Sequence, residues 1–389
     1  MGNVSQDSTP KLAHHLSEFV TYEVTAGLAF AGNLLVCILF FRKKTLLKKS
    51  YNMYFLGLAL LDILIAVTMA ITYAIVLIDV IPFSFGNRRL GEFVCRVLWS
   101  RWLLYCLFAL SVYICLFLTI ERWYAVVRPL NYQGTSNKKR VIISIVIATV
   151  FALIFTCTFP MEVSYLSGLS GHTMTCVWKP VTGYSSGVWG VFQFIGLLFV
   201  PSLIMIGLFC HIIYKKQVTV MPMHDFRSRR HSNMITQTVH TTQRTVTKMI
   251  ATASIFMILC WAPNQVYYLL SRFGILKRDS TIHHYLEALT FFNSCVNPVI
   301  YGVTSQTFRK GYWEVFLGLC PASIRLRLAQ SRGGLGETVG SVVFLVHTLH
   351  RRRSYDWRFE GIRASVAVQV ENNPTMSSDA IAVPQSLHI

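Results

Sequence analysis

The stretch CRVLWSRWLLYCLFALSVYICLFLTIERW, Cys95 to Trp123, decides how this chain folds. From Leu98 to Ile120 it is apolar almost without interruption, with one internal charge at Arg101, and it closes on Glu121-Arg122-Trp123. Lipid offers the backbone no hydrogen-bond partners, so a run of this kind crosses a membrane as a helix. At about 1.5 Å per residue, a helix from Cys95 to Val126 would measure about 45 Å against a hydrocarbon core of about 30 Å. It must tilt or protrude. One stripe at 3.6-residue spacing carries Arg101, Tyr105, Phe108, Ser111, Cys115, Leu118 and Arg122. A single face therefore joins a polar end to a charged end, the shape of a signal relay.

Composition agrees with a membrane protein. Of 389 residues, 53% are hydrophobic and 14% charged, too oily for a soluble chain, which averages about 25% charged. The net charge is +19. In a soluble protein that excess would point to nucleic acid, but here the basic residues sit in short loops between apolar runs, the positive-inside pattern. Nucleic acid is not an expected partner.

Seven apolar stretches are long enough to span, at about 20–41, 52–78, 95–126, 141–164, 185–214, 245–270 and 282–304. Arg42, Lys43, Lys44, Lys48 and Lys49 follow the first without an acid, so that side is cytoplasmic. Alternation then places Arg128, Lys138–Arg140 and the group from Lys215 to Arg230 inside as well, with the amino terminus outside and the carboxyl terminus inside. Residues 1–19 form an extracellular segment with a sequon at Asn3-Val4-Ser5, and the first span serves as the insertion signal. Of ten cysteines, eight lie within spans or at the inner end. Only Cys95 and Cys176 fall on the oxidising side, so a disulfide between them is expected, with two free thiols as the alternative.

Polar residues inside the spans are few. Asp62 sits mid-span, where a charge costs about 2.5–3.5 kcal/mol on insertion scales. Asn33, Ser111, and Asn293, Asn297 and Tyr301 fall at comparable depth on other spans. Each alone is ordinary helix-to-helix glue; together they argue for one polar cluster. Pro160, Pro201, Pro263 and Pro298 each delete a helical hydrogen bond and mark kinks, and Trp261 stands two residues before Pro263. No paired carboxylates, metal-spaced histidines or nucleophile motif are present, and His283-His284 is adjacent rather than at i, i+4. An enzyme is not expected.

In order along the chain, these residues resemble the rhodopsin-like G-protein-coupled receptors over about residues 20–317. The matching marks are Gly32-Asn33, Asn52, the Leu-Ala-x-x-Asp run ending at Asp62, Cys95, Ser111, Glu121-Arg122-Trp123, Pro201, Cys260-Trp261-Ala262-Pro263 and Asn293-Ser294-Cys295-Val296-Asn297-Pro298-Val299-Ile300-Tyr301. The resemblance implies an all-α seven-transmembrane bundle, with Ser305 to Phe316 as a short amphipathic eighth helix on the inner leaflet. It also implies activation switches at Glu121, Arg122, Trp261, Pro263, Asn297, Pro298 and Tyr301, a cytoplasmic cleft for a heterotrimeric G protein, and no organic cofactor. An allosteric sodium site at Asp62, Ser111, Asn293, Ser294 and Asn297 follows from the same likeness, a hydrogen-bonded cluster without an ion being the alternative.

The departures carry expectations too. Cys95 stands two residues further from Arg122 than is usual, so the outer turn of helix three is expected to be distorted. Phe209 replaces a usual Tyr. Gln243-Arg244 offers no acid to Arg122, leaving Glu121 to hold it alone and basal activity high. Leu104 stands where amine receptors carry Asp and Phe291 where opsins carry Lys, which argues against both ligand classes. The expected pocket residues are Arg101, Trp102, Tyr105, Gln193, Gln265, Tyr268, Tyr285 and Glu287. A wide pocket with Arg101 and Glu287 of opposite sign suits a peptide, and the helix-seven wording looks most like neuropeptide receptors; the alternative is that the two charges pair with each other. A small-molecule or lipid receptor, a constitutively active receptor and a seven-span transporter remain as other readings. Residues 318–389 form a cytoplasmic tail in which Arg351-Arg352-Arg353 would meet anionic membrane lipid and Thr375, Ser377 and Ser378 would be phosphorylated for arrestin.

Overall fold

The computed structural model describes residues 9–79, 87–132, 138–167, 174–179, 185–220, 232–277 and 281–319. Asn3, Cys320, the Arg351–Arg353 run, Thr375, Ser377 and Ser378 lie outside the described residues. The helices are α1 (Thr9–Arg42), α2 (Ser50–Asp79), α3 (Arg88–Phe93), α4 (Trp102–Val127), α5 (Pro129–Tyr132), α6 (Lys138–Thr156), α7 (Thr158–Met161), α8 (Ser186–Phe194), α9 (Val200–Val220), α10 (Ser232–Arg272), α11 (Thr281–Thr304) and α12 (Gln306–Leu319). Two π-turns, Val94–Trp99 and Ile195–Phe199, join α3 toward α4 and α8 to α9.

Among the described residues six helical segments are long and apolar enough to cross a membrane, from Leu16–Arg42 to Thr241–Arg272. The seventh, α11, falls short on apolarity because it carries His283, His284, Glu287, Asn293 and Asn297. Its polar groups face inward. His283, Glu287, Thr290, Asn293, Ser294 and Asn297 are buried, whereas Ile282, Leu289, Phe292, Val299 and Val303 point outward. The bundle thus reverses the soluble pattern: Asp62, Arg122 and Glu287 are inside, and a shell of Leu, Ile, Val and Phe is outside.

Helix three is broken near its disulfide-bearing end. After the π-turn, Arg101 adopts φ 60°, the single positive-φ position other than glycine among the described residues, before α4 resumes. Ser100 Oγ accepts from the Trp102 amide at 3.1 Å, replacing part of the interrupted ladder. The break absorbs the extra residues between Cys95 and Arg122, as the sequence spacing predicts. The expected stripe survives below it, for Tyr105, Phe108, Ser111, Cys115, Leu118 and Arg122 are all buried.

Cys95 and Cys176 form a disulfide with Cα atoms 5.4 Å apart. Cys176 lies in a hairpin not read from the sequence: β1 (Val163–Ser167) pairs antiparallel with β2 (Met174–Trp178), Tyr165 opposite Cys176. Gly91 lies under the Tyr165 ring, close enough that a Cβ would sit 2.9 Å from it. The bridge therefore fastens the hairpin over the first turns of helix three.

Hydrogen bonds stitch the helices below. Tyr54 Oη and Ser144 Oγ are 2.7 Å apart across α2 and α6. Tyr113 Oη donates to the Gly196 carbonyl at 2.8 Å and Gln193 Nε2 to the Phe155 carbonyl at 2.6 Å. The π-turn before Pro201 brings Gly196 against Phe155, where a Cβ would stand 2.1 Å from the ring. Gly196→Ala should destabilise the protein by about 1–3 kcal/mol through overpacking, measured as a lower melting temperature in detergent; Phe155→Leu in the same chain should recover part of it.

Candidate functional site

At the disulfide end, Glu287 on α11 is 1% exposed and accepts from three directions. Arg101 Nη1 and Tyr105 Oη donate to its two oxygens in short contacts, and Tyr73 Oη donates at 3.2 Å. Its carboxylate is also 3.9 Å from His283 Nε2 and 3.8 Å from His284 Nδ1. The guanidinium of Arg101 lies 5.3 Å over the Tyr73 ring. The two charges expected to receive a ligand's charges instead satisfy each other, which corrects the reading of an oppositely charged pocket. The left-handed turn at Arg101 is what aims the side chain inward. A second buried pair closes the same end: Arg272 Nη1 is 2.6 and 2.8 Å from the two oxygens of Glu162, tying the end of α10 to the end of α7.

Beneath these pairs lies a tight cleft. Tyr105, Gln193, Gln265 and Tyr268 line it as expected, with Trp261 as its floor. Phe159 and Asn264 line it too, and the sequence reading passed over both. Asn264 follows Trp261 by three residues on one helix face, a signal that was available. Trp102 is half-buried against the core and does not line the cleft. Tyr285 is 64% exposed on the outer stripe of α11 with Ile282 and Leu289, so its placement in the pocket is also corrected. This cleft is tight and aromatic: Tyr105 stacks on Phe159 at 5.0 Å and Phe159 on Tyr268 at 5.6 Å.

The polar cluster occupies the middle layer. Ser294 Oγ donates to one oxygen of Asp62 at 2.8 Å and Asn297 Nδ2 to the other at 2.9 Å. Asn33 Nδ2 donates to the Ser294 carbonyl at 2.9 Å, bringing α1 into the same network. A small cavity beside it is lined by Ser111, Cys115, Asn293, Asn297 and Tyr301 among others. Trp261 lies above, its ring stacked on Phe108 at 5.5 Å. The Tyr301 hydroxyl is buried without a partner, and Phe209 has no hydroxyl to offer it.

At the opposite end Arg122 is fully buried. Its Nη2 is 3.7 Å from Glu121, and its guanidinium sits 4.2 Å over the Tyr51 ring. Gln243 Oε1 accepts from Nη1 at 3.3 Å and Tyr132 Oη from Nη2 at 3.4 Å. Glu121 therefore does not hold the arginine alone, as the sequence reading expected; an aromatic face and two neutral acceptors share it. Tyr132 in turn donates to Glu121 at 2.6 Å. Burial, reinforced by that carboxylate, pushes the Tyr132 phenol up to about 12, so it remains a donor at any physiological pH.

A family model described as "7 transmembrane receptor (rhodopsin family)" matches residues 32–301. The chain belongs to this family. It is thereby a multi-pass membrane receptor and not an enzyme. Among curated relatives, a zebrafish galanin receptor 2a is 24% identical over 321 residues, 81% of this chain and 83% of that one. The rat somatostatin receptor type 4 is 26% identical over 322 residues, 81% of this chain and 75% of its own length. A fruit-fly octopamine receptor beta-1R is 24% identical over 330 residues, covering 75% and 60%. The neuropeptide receptors align over more of their length than the octopamine receptor does.

The Arg101–Glu287 pair of this rhodopsin-family receptor makes a measurable demand. Arg101→Leu or Glu287→Leu alone should cost about 3–5 kcal/mol by stranding a buried charge, whereas the double replacement should cost less than either single change. Melting of the purified receptor and its variants in detergent checks the cycle.

Proposed function

We propose that this chain is a plasma-membrane receptor for an extracellular peptide, signalling through a heterotrimeric G protein. The observation that carries the signalling half is the buried Arg122, held by Tyr51, Tyr132 and Gln243 as well as Glu121. These groups come from α2, α5 and α10, so an outward swing of α10 about Pro263 withdraws Gln243 and frees the guanidinium for a partner. Peptide is favoured over amine by Leu104, and by the relatives named as galanin and somatostatin receptors. The amino terminus is outside and the disulfide end faces the ligand; the carboxyl tail is cytoplasmic, available to arrestin and to anionic lipid.

A second reading, a receptor for a small neutral molecule, is favoured by the narrow aromatic cleft. Nucleotide exchange on a G protein, measured in membranes with a peptide library and a library of neutral small molecules, separates the two. Arg122→Ala should keep ligand binding and lose most of the exchange; undiminished exchange would remove the relay.

Asp62, Ser111, Asn293, Ser294 and Asn297 also fit a sodium ion. They supply a carboxylate, hydroxyls and amides, all hard oxygen donors, and Asn293 Oδ1 is buried without a partner beside the cavity. Bound there, the ion would neutralise the buried carboxylate and favour the closed bundle. Sodium should then weaken agonist about fivefold or more relative to a large organic cation at equal ionic strength, and Asp62→Asn should erase the difference.

A further inference from the structure

The cleft is shut on one side by two rungs that join the same two helices. Phe159 in α7 and Glu162 at its cap are three residues apart, and Tyr268 and Arg272 at the end of α10 are four apart, so each couple shares one helix face. Phe159 stacks on Tyr268 at 5.6 Å, and both rings line the cleft. One turn further along, Arg272 Nη1 reaches both carboxylate oxygens of Glu162 at 2.6 and 2.8 Å, with both side chains buried. A ligand group enters between these walls only by parting the ring pair and the ion pair together.

Arg272 keeps its place without Glu162. Its Nε donates to the Ser186 carbonyl of α8 at 3.3 Å, its guanidinium lies 5.6 Å over the Tyr268 ring, and its stem packs so closely on Gly190 that a Cβ there would stand 2.8 Å away. It also occupies the last turn of α10, where the backbone dipole favours a cation. Glu162 stands where α7 gives way to β1. Its backbone is anchored there by its own N–H to the Thr158 carbonyl at 3.1 Å and by the Lys179 N–H to its carbonyl at 2.6 Å, so the side chain can turn away while the chain path stays.

These holds select the charge of an incoming group. A neutral ligand that opened the rung would strand both ions against an apolar wall. A cation would have to replace Arg272 against all three of its contacts. A carboxylate meets neither cost, because it takes the place of the Glu162 carboxylate on a guanidinium already aimed to receive one.

We propose that Arg272 is the binding site for a ligand carboxylate carried beside an aromatic or apolar group, and that Glu162 fills the site of the closed cleft as a tethered competitor. This rests on the peptide-receptor reading and narrows it: the ligand presents a free carboxyl terminus or an Asp or Glu side chain to Arg272. The apolar group beside it enters where Phe159 and Tyr268 part.

The test uses the purified full-length receptor and small probes read by thermal shift. N-acetyl-phenylalanine carries the carboxylate of a chain terminus, N-acetyl-aspartyl-phenylalaninamide that of a side chain, and N-acetyl-phenylalaninamide neither. At least one acid should bind saturably and about tenfold or more tighter than the neutral amide, and the stronger acid identifies the source. Glu162→Gln removes the competing charge and should tighten that acid about fivefold or more relative to the amide. In the double variant Glu162→Gln/Arg272→Met, which strands no charge, the acid should lose its advantage. Equal binding of acid and amide by the unaltered receptor, no shift from either acid, or an advantage that survives in the double variant would overturn the site and leave a pair that only fastens α7 to α10. An acid bound no better by Glu162→Gln would overturn the competitor. The first comparison is made on the unaltered receptor, so it decides the carboxylate site even if a variant fails to fold. If peptides drive G-protein exchange but no acid binds, the site falls and the receptor function stands; if an acid binds but no peptide drives exchange, the reverse holds.

Discussion

Hydrocarbon accepts no hydrogen bonds, so a charged or amide side chain carried into this bundle is costly unless another helix answers it, and three clusters of such answers tie the helices together. Asp62 takes Ser294 and Asn297 from α11, Ser294 gives its carbonyl to Asn33 of α1, and Glu287 collects Arg101, Tyr105 and Tyr73 from helices three and two. Arg122 draws on α2, α5 and α10. α11 enters two of these three clusters, which is why it is too polar to pass as a span by apolarity alone and yet lies within the bundle. Its outer stripe of Ile282, Leu289, Phe292 and Val299 keeps it compatible with lipid.

The irregular turns have a cause in the same constraint. A π-turn rotates everything beyond it by roughly one residue, about 100° around the helix axis. At Val94–Trp99, followed by the left-handed Arg101, this lets Cys95 reach the hairpin while Arg101 reaches Glu287. At Ile195–Phe199 it presents the Gly196 carbonyl to Tyr113 and the bare glycine to Phe155. In each case a residue that a regular helix would aim elsewhere becomes a contact between helices.

The three layers are physically continuous. Tyr105 and Phe108 occupy one face of α4 from the cleft to the Trp261 ring, Cys115 meets Ser254 of α10 at 3.3 Å, and Arg122 ends the same face. A change in the pose of Trp261 therefore presses on side chains that α4 and α10 share. The Arg122 cage is mostly neutral, with Tyr51 and Gln243 standing in for a second carboxylate. Such a cage opens at lower cost than a doubly ionic one, since no charge on α10 is left stranded when it moves.

The disturbed turn of helix three and the place of Ser294 followed from the family resemblance; other features were legible in the residues alone: seven spanning helices, the Cys95–Cys176 bridge, the inward stripe of helix three, and the gathering of Asp62 with Asn33 and Asn297. Each follows from local period, from the cost of a charge in lipid, or from which side of the membrane a cysteine lies, and these act along a single helix. What the tertiary structure decided is how each helix is rotated against its neighbours. Tyr285 turned outward, Asn264 inward, Gln243 and Tyr51 under Arg122, and the pairing of Arg101 with Glu287 rather than with a ligand all depend on contacts between residues as much as 186 positions apart. A sequence shows that two opposite charges lie at one depth; only the packed bundle shows that they meet, because a turn of one residue is enough to part them.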